Sequence, residues 1–259
     1  MHNAALEATG LDYAYVAFHV LPEAVGGVIG SMGTLGIAGL NVTVPHKQAV
    51  MADLDEVSKE ASAIGAVNTI AQRDGRTTGY NTDAHGVMAS LQQGPNDQTL
   101  PEHAVVLGAG GAARAILYAL LNSPDVNEVD LLNRTPARAE SLALALDPGG
   151  DKIRIGGIDA TAARTRAAGL LINATSVGMA PAVDQSPIED PSCLHDELVV
   201  CDIVYKPLET RLLSQARAAG ARCVDGLGML VHQGARSFEI WTGVQPPVDV
   251  MRAAAIAQA

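Results

Sequence analysis

Residues 104–135 constrain the fold of this chain more than any other stretch. The run Ala104-Val-Val-Leu-Gly-Ala-Gly-Gly-Ala-Ala113 places a short apolar segment directly ahead of Gly108, Gly110 and Gly111. Glycine at such a point lets the backbone turn tightly and approach a ligand with no Cβ in the way. The Ala- and Leu-rich residues 112–121 then read as a helix. Its first turn aims free N–H groups and a partial positive charge at whatever lies over the glycines. With Val129-Asp-Leu-Leu-Asn-Arg-Thr135 as a second strand, the unit is expected to be a β-α-β site. A dinucleotide pyrophosphate would lie on Gly108, Ala109, Gly110, Gly111 and Ala112.

The end of the second strand chooses the cofactor. An NAD site carries Asp or Glu there to accept from the ribose hydroxyls. This chain has Asn133, Arg134 and Thr135, with Arg138 one turn further on. Charge-assisted bonds to an extra phosphate contribute about 1.5 to 3 kcal/mol each, roughly one to two decades of preference for NADP. The same two arginines also suit a solvated helix start.

Composition narrows the remaining classes. A formal charge of −11 with no run of Lys or Arg leaves no basic face for nucleic acid, and 3% aromatic content leaves few stacking platforms. No apolar run approaches the roughly 20 residues a membrane span needs, so a cytoplasmic enzyme is expected. Cys193, Cys201 and Cys223 are odd in number and widely spaced, which reads as free structural thiols. Spacing suggests no metal site and no internal repeat.

Before the β-α-β unit, residues 11–18 read as a strand rich in β-formers and residues 22–36 as a helical segment opened by Pro22. Residues 39–44 read as a strand stopped by Pro45, with a helix from about His46, so that Asn41, Thr43 and Lys47 lie near a strand end. Asn41 suits turn chemistry and substrate contact equally. Residues 66–71 and 77–81 read as a hairpin turning at Asp74-Gly75, which places Asn68 opposite Asn81 and lets Asn68 and Asp83 face one site. A helix cap alone would also explain Asp83, since Thr82 and Asp83 precede the helical residues 84–92. Residues 94–101 read as polar turn material. Beyond Thr135 the alternation continues: helices at 137–146, 161–168 and 210–219, strands at 169–173 and 198–204, then a last strand and a helix through 229–241. This is a doubly wound α/β pattern. Gln233, on the last helix among small residues, reads equally as a structural bridge or a ligand contact.

Taken together, Asn41-Val-Thr-Val-Pro-His-Lys47, Gly65-Ala-Val-Asn-Thr69, Gly79-Tyr-Asn-Thr-Asp83, the Gly108 loop, Asn133-Arg-Thr135, Asn173-Ala-Thr175, Asp202-Ile-Val-Tyr205 and Asp225-Gly-Leu-Gly-Met-Leu-Val-His-Gln233 resemble the shikimate dehydrogenase family. The likeness runs along nearly the whole chain. It implies reversible reduction of 3-dehydroshikimate to shikimate with NADPH, on a doubly wound NADP-binding Rossmann domain plus a smaller α/β substrate domain. It assigns Lys47 and Asp83 as the catalytic pair. Thr43, Asn68, Asp83 and Gln233 would hold substrate hydroxyls with Tyr205 flanking, and Thr175, Ser176, Ile203 and Gly226 would lie beside the cofactor. The expected division is residues 1–83 for the substrate domain, 84–226 for the NADP domain, and 227–259 for helices returning to the first. A small-molecule substrate, a monomer or homodimer, and no nucleic-acid or membrane partner complete the expectation.

The amino terminus departs from the family pattern, in which a first strand and a loop with two hydroxyl side chains grip the substrate carboxylate. Residues 1–9 read as the body of a helix with no capping residue ahead of it. The expectation is a chain that lacks its natural start, with weakened substrate affinity and an exposed sheet edge. Rival readings are a quinate/shikimate dehydrogenase of broader range and an NADP-binding module without turnover.

Overall fold

The structure is a computed structural model that describes residues 1–93 and 99–258. The polar turn expected at residues 94–101 lies mostly outside them. The chain opens with helix α1 (His2–Thr9) and, after a 3₁₀ turn at Pro22–Ala24, helix α2 (Val25–Ser31). Strands β1 (Gly39–Asn41) and β2 (Glu56–Val57), helix α3 (Lys59–Ile64), and strands β3 (Thr69–Arg73) and β4 (Arg76–Tyr80) follow. The four strands make one sheet in the order β1-β3-β4-β2. Its hairpin turns at Asp74 (φ 51°) and Gly75 (φ 79°), a pair of left-handed residues that matches the twist of the strands. Thr69 stands opposite Tyr80, and Asn68 N–H donates to the Tyr80 carbonyl at 3.0 Å, so the expected register is present.

Two sequence expectations fail in this half, and one helix is present that the sequence reading did not give. Residues 11–18 form no strand: Tyr13, Val16 and Phe18 are exposed, and the segment is tied down by Asn3 rather than by a ladder. β-formers alone cannot make a strand without a neighbour to bond. No helix starts at His46 either, because residues 43–48 form turns and a 3₁₀ segment follows at Ala49–Asp53. Helix α3 was not anticipated, although Ser58 Oγ caps it by accepting from Ala61 N–H at 3.2 Å.

Helix α4 (Asp83–Leu91) leads to β5 (His103–Leu107), α5 (Gly111–Leu121), β6 (Glu128–Leu132), α6 (Pro136–Leu146), β7 (Ile153–Gly156), α7 (Thr161–Thr165), β8 (Leu170–Asn173), β9 (Val199–Asp202), α8 (Arg211–Ala218) and β10 (Arg222–Val224). The second sheet runs β10-β9-β8-β5-β6-β7, and every pairing in it is parallel. Ile116, Leu117, Leu120 and Leu142 of α5 and α6 cover one face, and Leu212, Leu213 and Ala216 of α8 cover the other. The sheet is therefore doubly wound, and its strand order reverses between β5 and β8, where such sheets open a ligand crevice.

Helix α9 (Gly226–Thr242) starts on Asp225, whose carboxylate accepts from the N–H groups of Leu227 and Gly228. It packs along α4. Its Leu227, Val231, Ala235 and Phe238 bury against Ala5 and Leu6 of α1 and Met251 of helix α10 (Val248–Ile256). The carboxyl-terminal helices thus return to the amino-terminal one. Among the described residues no helix is long and apolar enough to cross a membrane.

Candidate active site

A cavity of about 1450 Å³ opens between the two sheets, and Thr43, Lys47, Asn68, Asp83, Tyr205 and Gln233 all line it. At its floor Lys47 Nζ donates to Asp83 Oδ2 at 2.6 Å, and Asn68 Nδ2 donates to Asp83 Oδ1 at 2.7 Å. Both carboxylate oxygens are engaged, so Asp83 has one orientation and Lys47 is held at one end of it. Asp83 opens α4, yet its side chain makes no cap bond, and the N-cap position belongs to Thr82. The capping role considered for Asp83 is therefore not the one its carboxylate plays here.

The turn at residues 43–48 carries Lys47 toward the second sheet, where a Cβ built on Gly111 would come within 4.0 Å of Lys47 Cδ. Asn68 is 2% exposed, and its orientation is fixed because Thr82 backbone N–H donates to its Oδ1 at 2.8 Å. Gln233 Nε2 donates to the Leu230 carbonyl at 3.0 Å, while its Oε1 is 3.4 Å from Thr82 Oγ1 and 3.5 Å from Asn68 Nδ2. Of its two readings the bridge is realised, with long bonds on the side that faces the cavity.

On the opposite wall stand Ala112, Ile203 and Gly226. Gly108 has φ 102° and backs onto Thr175, whose Cγ2 would lie 2.8 Å from an added Cβ, whereas a Cβ on Gly110 would meet nothing within 4 Å. The loop is pressed shut behind and open in front, the shape a pyrophosphate requires. Thr175 is anchored by Asn173 Oδ1, which accepts from its hydroxyl at 2.6 Å and its N–H at 3.1 Å. Asn173 in turn donates to Asp202 at 2.9 Å, and Thr210 donates to the other Asp202 oxygen at 2.7 Å. Burial pushes the Asp202 carboxyl above its ordinary pKa, against the pull of those donors. Ser176 sits in the same loop. At the end of β6, Asn133 Nδ2 donates to the Thr135 carbonyl at 2.8 Å. Arg134 and Arg138 are exposed, and neither is in an ion pair among the described residues. These residues fit a dinucleotide with a ribose phosphate.

Three family models match consecutive parts of the chain: shikimate dehydrogenase substrate binding domain over residues 1–70, shikimate / quinate 5-dehydrogenase over 92–207, and shikimate 5'-dehydrogenase C-terminal domain over 226–256. A shikimate dehydrogenase (NADP(+)) of Methanopyrus kandleri is 46% identical over 99% of this chain and 89% of its own length. The chain belongs to the shikimate dehydrogenase family. Among solved structures, a shikimate dehydrogenase in complex with NADP+ is similar at a TM-score of 0.92 and 43% identity, covering 99% of this chain and 89% of the other. A shikimate 5-dehydrogenase from Thermus thermophilus in complex with NADP(H) and shikimate is similar at 0.88 and 39%, covering 100% and 93%.

Within this family member, sequence reasoning left out Thr69 and Ser237 behind the site and left Asn41 between turn chemistry and substrate contact. Asn41 lines the cavity and donates from Nδ2 to Ser237 Oγ at 3.1 Å, and Tyr15 Oη donates to Asn41 Oδ1 at 3.0 Å. Thr69 and Ser237, both 0% exposed, meet at 2.7 Å. No local pattern marks their connection, because Asn41 and Ser237 are 196 positions apart. The expectation of no metal constellation rested on spacing, and folding gathers His103, Glu128 and Asp130 with ligand atoms within 4.8 Å of one another. The two carboxylates there are met by Arg154 and Arg164, at the strand ends remote from Gly108. The three thiols are unpaired, and burial pushes Cys201 up to about 12.

Proposed function

We propose that this chain catalyses the reversible reduction of 3-dehydroshikimate to shikimate with NADPH, the step its relatives are named for. One observation carries the reading: a lysine and a carboxylate in contact at 2.6 Å, on the floor of a cavity whose far wall includes Ala112, in the first turn of the helix that follows the glycine loop of a doubly wound sheet. When bound, NADPH supplies hydride to the ketone carbon. As charge builds on the ketone oxygen, the Lys47 ammonium stabilises it and donates a proton, and in the oxidative direction the same nitrogen receives the hydroxyl proton. Asp83 pairs with the Lys47 ammonium and aims it, and Asn68 fixes Asp83.

Thr43, Asn68, Asp83 and Gln233 bind the substrate hydroxyls, and Tyr205 closes the side. Gly108, Ala109, Gly110, Gly111 and Ala112 cradle the pyrophosphate. Asn133, Arg134, Thr135 and Arg138 take the ribose phosphate, and Thr175, Ser176, Ile203 and Gly226 form the nicotinamide wall. Residues 1–83 and 227–259 make the substrate domain and 84–226 the NADP domain. The packing of α1 on α9 and α10 supports that division. One chain supplies every group, so a monomer or a homodimer serves equally, and unpaired thiols suit the cytoplasm.

The test is a steady-state assay of the purified chain. Shikimate-dependent formation of NADPH is expected, with quinate assayed in parallel to expose a broader substrate range. NADPH binding without turnover at millimolar shikimate would overturn the reading in favour of a binding module.

A further inference from the structure

Behind the cavity lies a layer of buried hydroxyls that touches neither wall of the cofactor crevice. Its centre is Ser237, on α9 one turn after Gln233. Ser237 Oγ is within 3.0 Å of the Gln233 carbonyl, 2.7 Å of Thr69 Oγ1, 3.1 Å of Asn41 Nδ2 and 3.3 Å of Thr82 Oγ1. One atom therefore joins β1, β3, the start of α4 and α9. We propose that Ser237 is a positioning residue for substrate recognition: its hydroxyl helps hold the Asn41 amide with Nδ2 inward and, through Thr69, steadies Asn68.

Proton bookkeeping supports this. The Gln233 carbonyl can only accept, so with the Ser237 proton directed there, Ser237 accepts from Thr69 and from Asn41. If instead Ser237 donates to Thr69, then Thr69 donates to Asn68 Oδ1 at 3.0 Å. In both arrangements Asn41 Nδ2 faces acceptors alone: Ser237 Oγ at 3.1 Å, with the Asn68 carbonyl and Thr69 Oγ1 each at 3.3 Å. Nδ2 is thus locked inward. Oδ1 accepts from Tyr15 Oη, and Asn41 lines the cavity, where its amide can meet a substrate hydroxyl. Deleting the Ser237 hydroxyl removes the shortest of those bonds at a place where Ser237 and Thr69 are both 0% exposed, so solvent has no direct access to replace it. Asn41 Nδ2 then keeps only the two longer bonds, to the Asn68 carbonyl and Thr69 Oγ1 at 3.3 Å each, and the amide is held less firmly.

The inference rests on the function proposed above, and the experiment separates the two. Steady-state constants are measured on full-length wild type, Ser237→Ala, Ser237→Thr, Thr69→Val and Thr69→Ser. Ser237→Ala and Thr69→Val are expected to raise the shikimate KM about three- to tenfold, the worth of one lost neutral hydrogen bond, with the NADP+ KM unchanged. The hydroxyl-keeping Ser237→Thr and Thr69→Ser are expected to stay near wild type. A shikimate KM for Ser237→Ala equal to wild type, or parallel rises in both KM values, overturns the proposal. If Ser237→Ala does not fold, the Thr69 pair decides by the same criterion. Wild type that fails to turn over shikimate overturns the functional reading, and this inference with it.

Discussion

The two sheets carry function in different ways. In the six-stranded sheet the groups proposed to work are backbone N–H groups and a few side chains on loops that follow strand ends in sequence: Gly108 to Gly111 after β5, Arg134 after β6, Thr175 after β8. In the four-stranded part the site is assembled from a turn (Lys47), a strand approach (Asn68), a helix start (Asp83) and a distant helix (Gln233, Ser237), joined by hydrogen bonds across 15 to 196 residues. A loop site tolerates change elsewhere in the chain. A site made by convergence depends on every element that converges.

That contrast predicts separable failures. The largest is Lys47→Ala, which removes the proposed proton donor without touching the glycine loop. Turnover should fall by roughly two to four decades while NADPH affinity, read by fluorescence titration, stays near wild type. Retained turnover would make Lys47 a bystander. Next is Arg134→Ala, expected to raise the NADP+ KM by about one to two decades with little change for NAD+. Equal losses with both cofactors would mean that Arg134 does not read the ribose phosphate.

How much of this was legible from sequence follows the same division. Five of the six parallel strands and the glycine loop were readable, because a buried parallel strand is a short apolar run and its loop follows at once. The exception, β7, is a short edge strand with Arg154 in its middle, and edge strands lack the apolar signature. In the other half the hairpin register was readable from Asp74-Gly75, and it placed Asn68 near Asp83. The strand expected at residues 11–18 failed because β-propensity describes a surface that needs a partner. Ser237 and Thr69 were invisible, since buried hydroxyls carry no signal until the elements that they join are known. Helix α10, behind Pro246-Pro247, was expected only through the family resemblance, as one of the helices at residues 227–259, and its bounds were not readable.

A smaller effect tests the loop side. Gly108→Ala puts a side chain at φ 102° and within 2.8 Å of Thr175 Cγ2. Strain of about 1–3 kcal/mol is expected. It should appear as a lower Tm and weaker NADPH binding, with the shikimate KM near wild type. A shikimate KM that rises as much as the cofactor constant would show that the two regions are not separable.

The smallest effect at neutral pH concerns the amino-terminal helix. His2 is 5% exposed, stacks on Tyr15 with ring centroids 4.3 Å apart, and lies 5.4 Å from Trp241. Burial, helped by the charged amino terminus and opposed by Asn41, lowers its pKa from 6.5 to about 4. Between those values the unfolded chain binds a proton that the folded chain does not, so folding loses stability as pH falls. The contribution is whole above pH 6.5 and is lost progressively toward about 4. If helix α1 opens locally before the rest of the chain unfolds, the loss is limited to the free energy of that opening. Because Tyr15 also bonds Asn41, detachment should reach the convergent site first. The shikimate KM is expected to climb as pH drops from 6.5 to 5 while NADPH affinity holds, and His2→Phe, which keeps the stacking and removes the titration, should flatten that climb. A climb of equal steepness in His2→Phe would assign the acid sensitivity to another group.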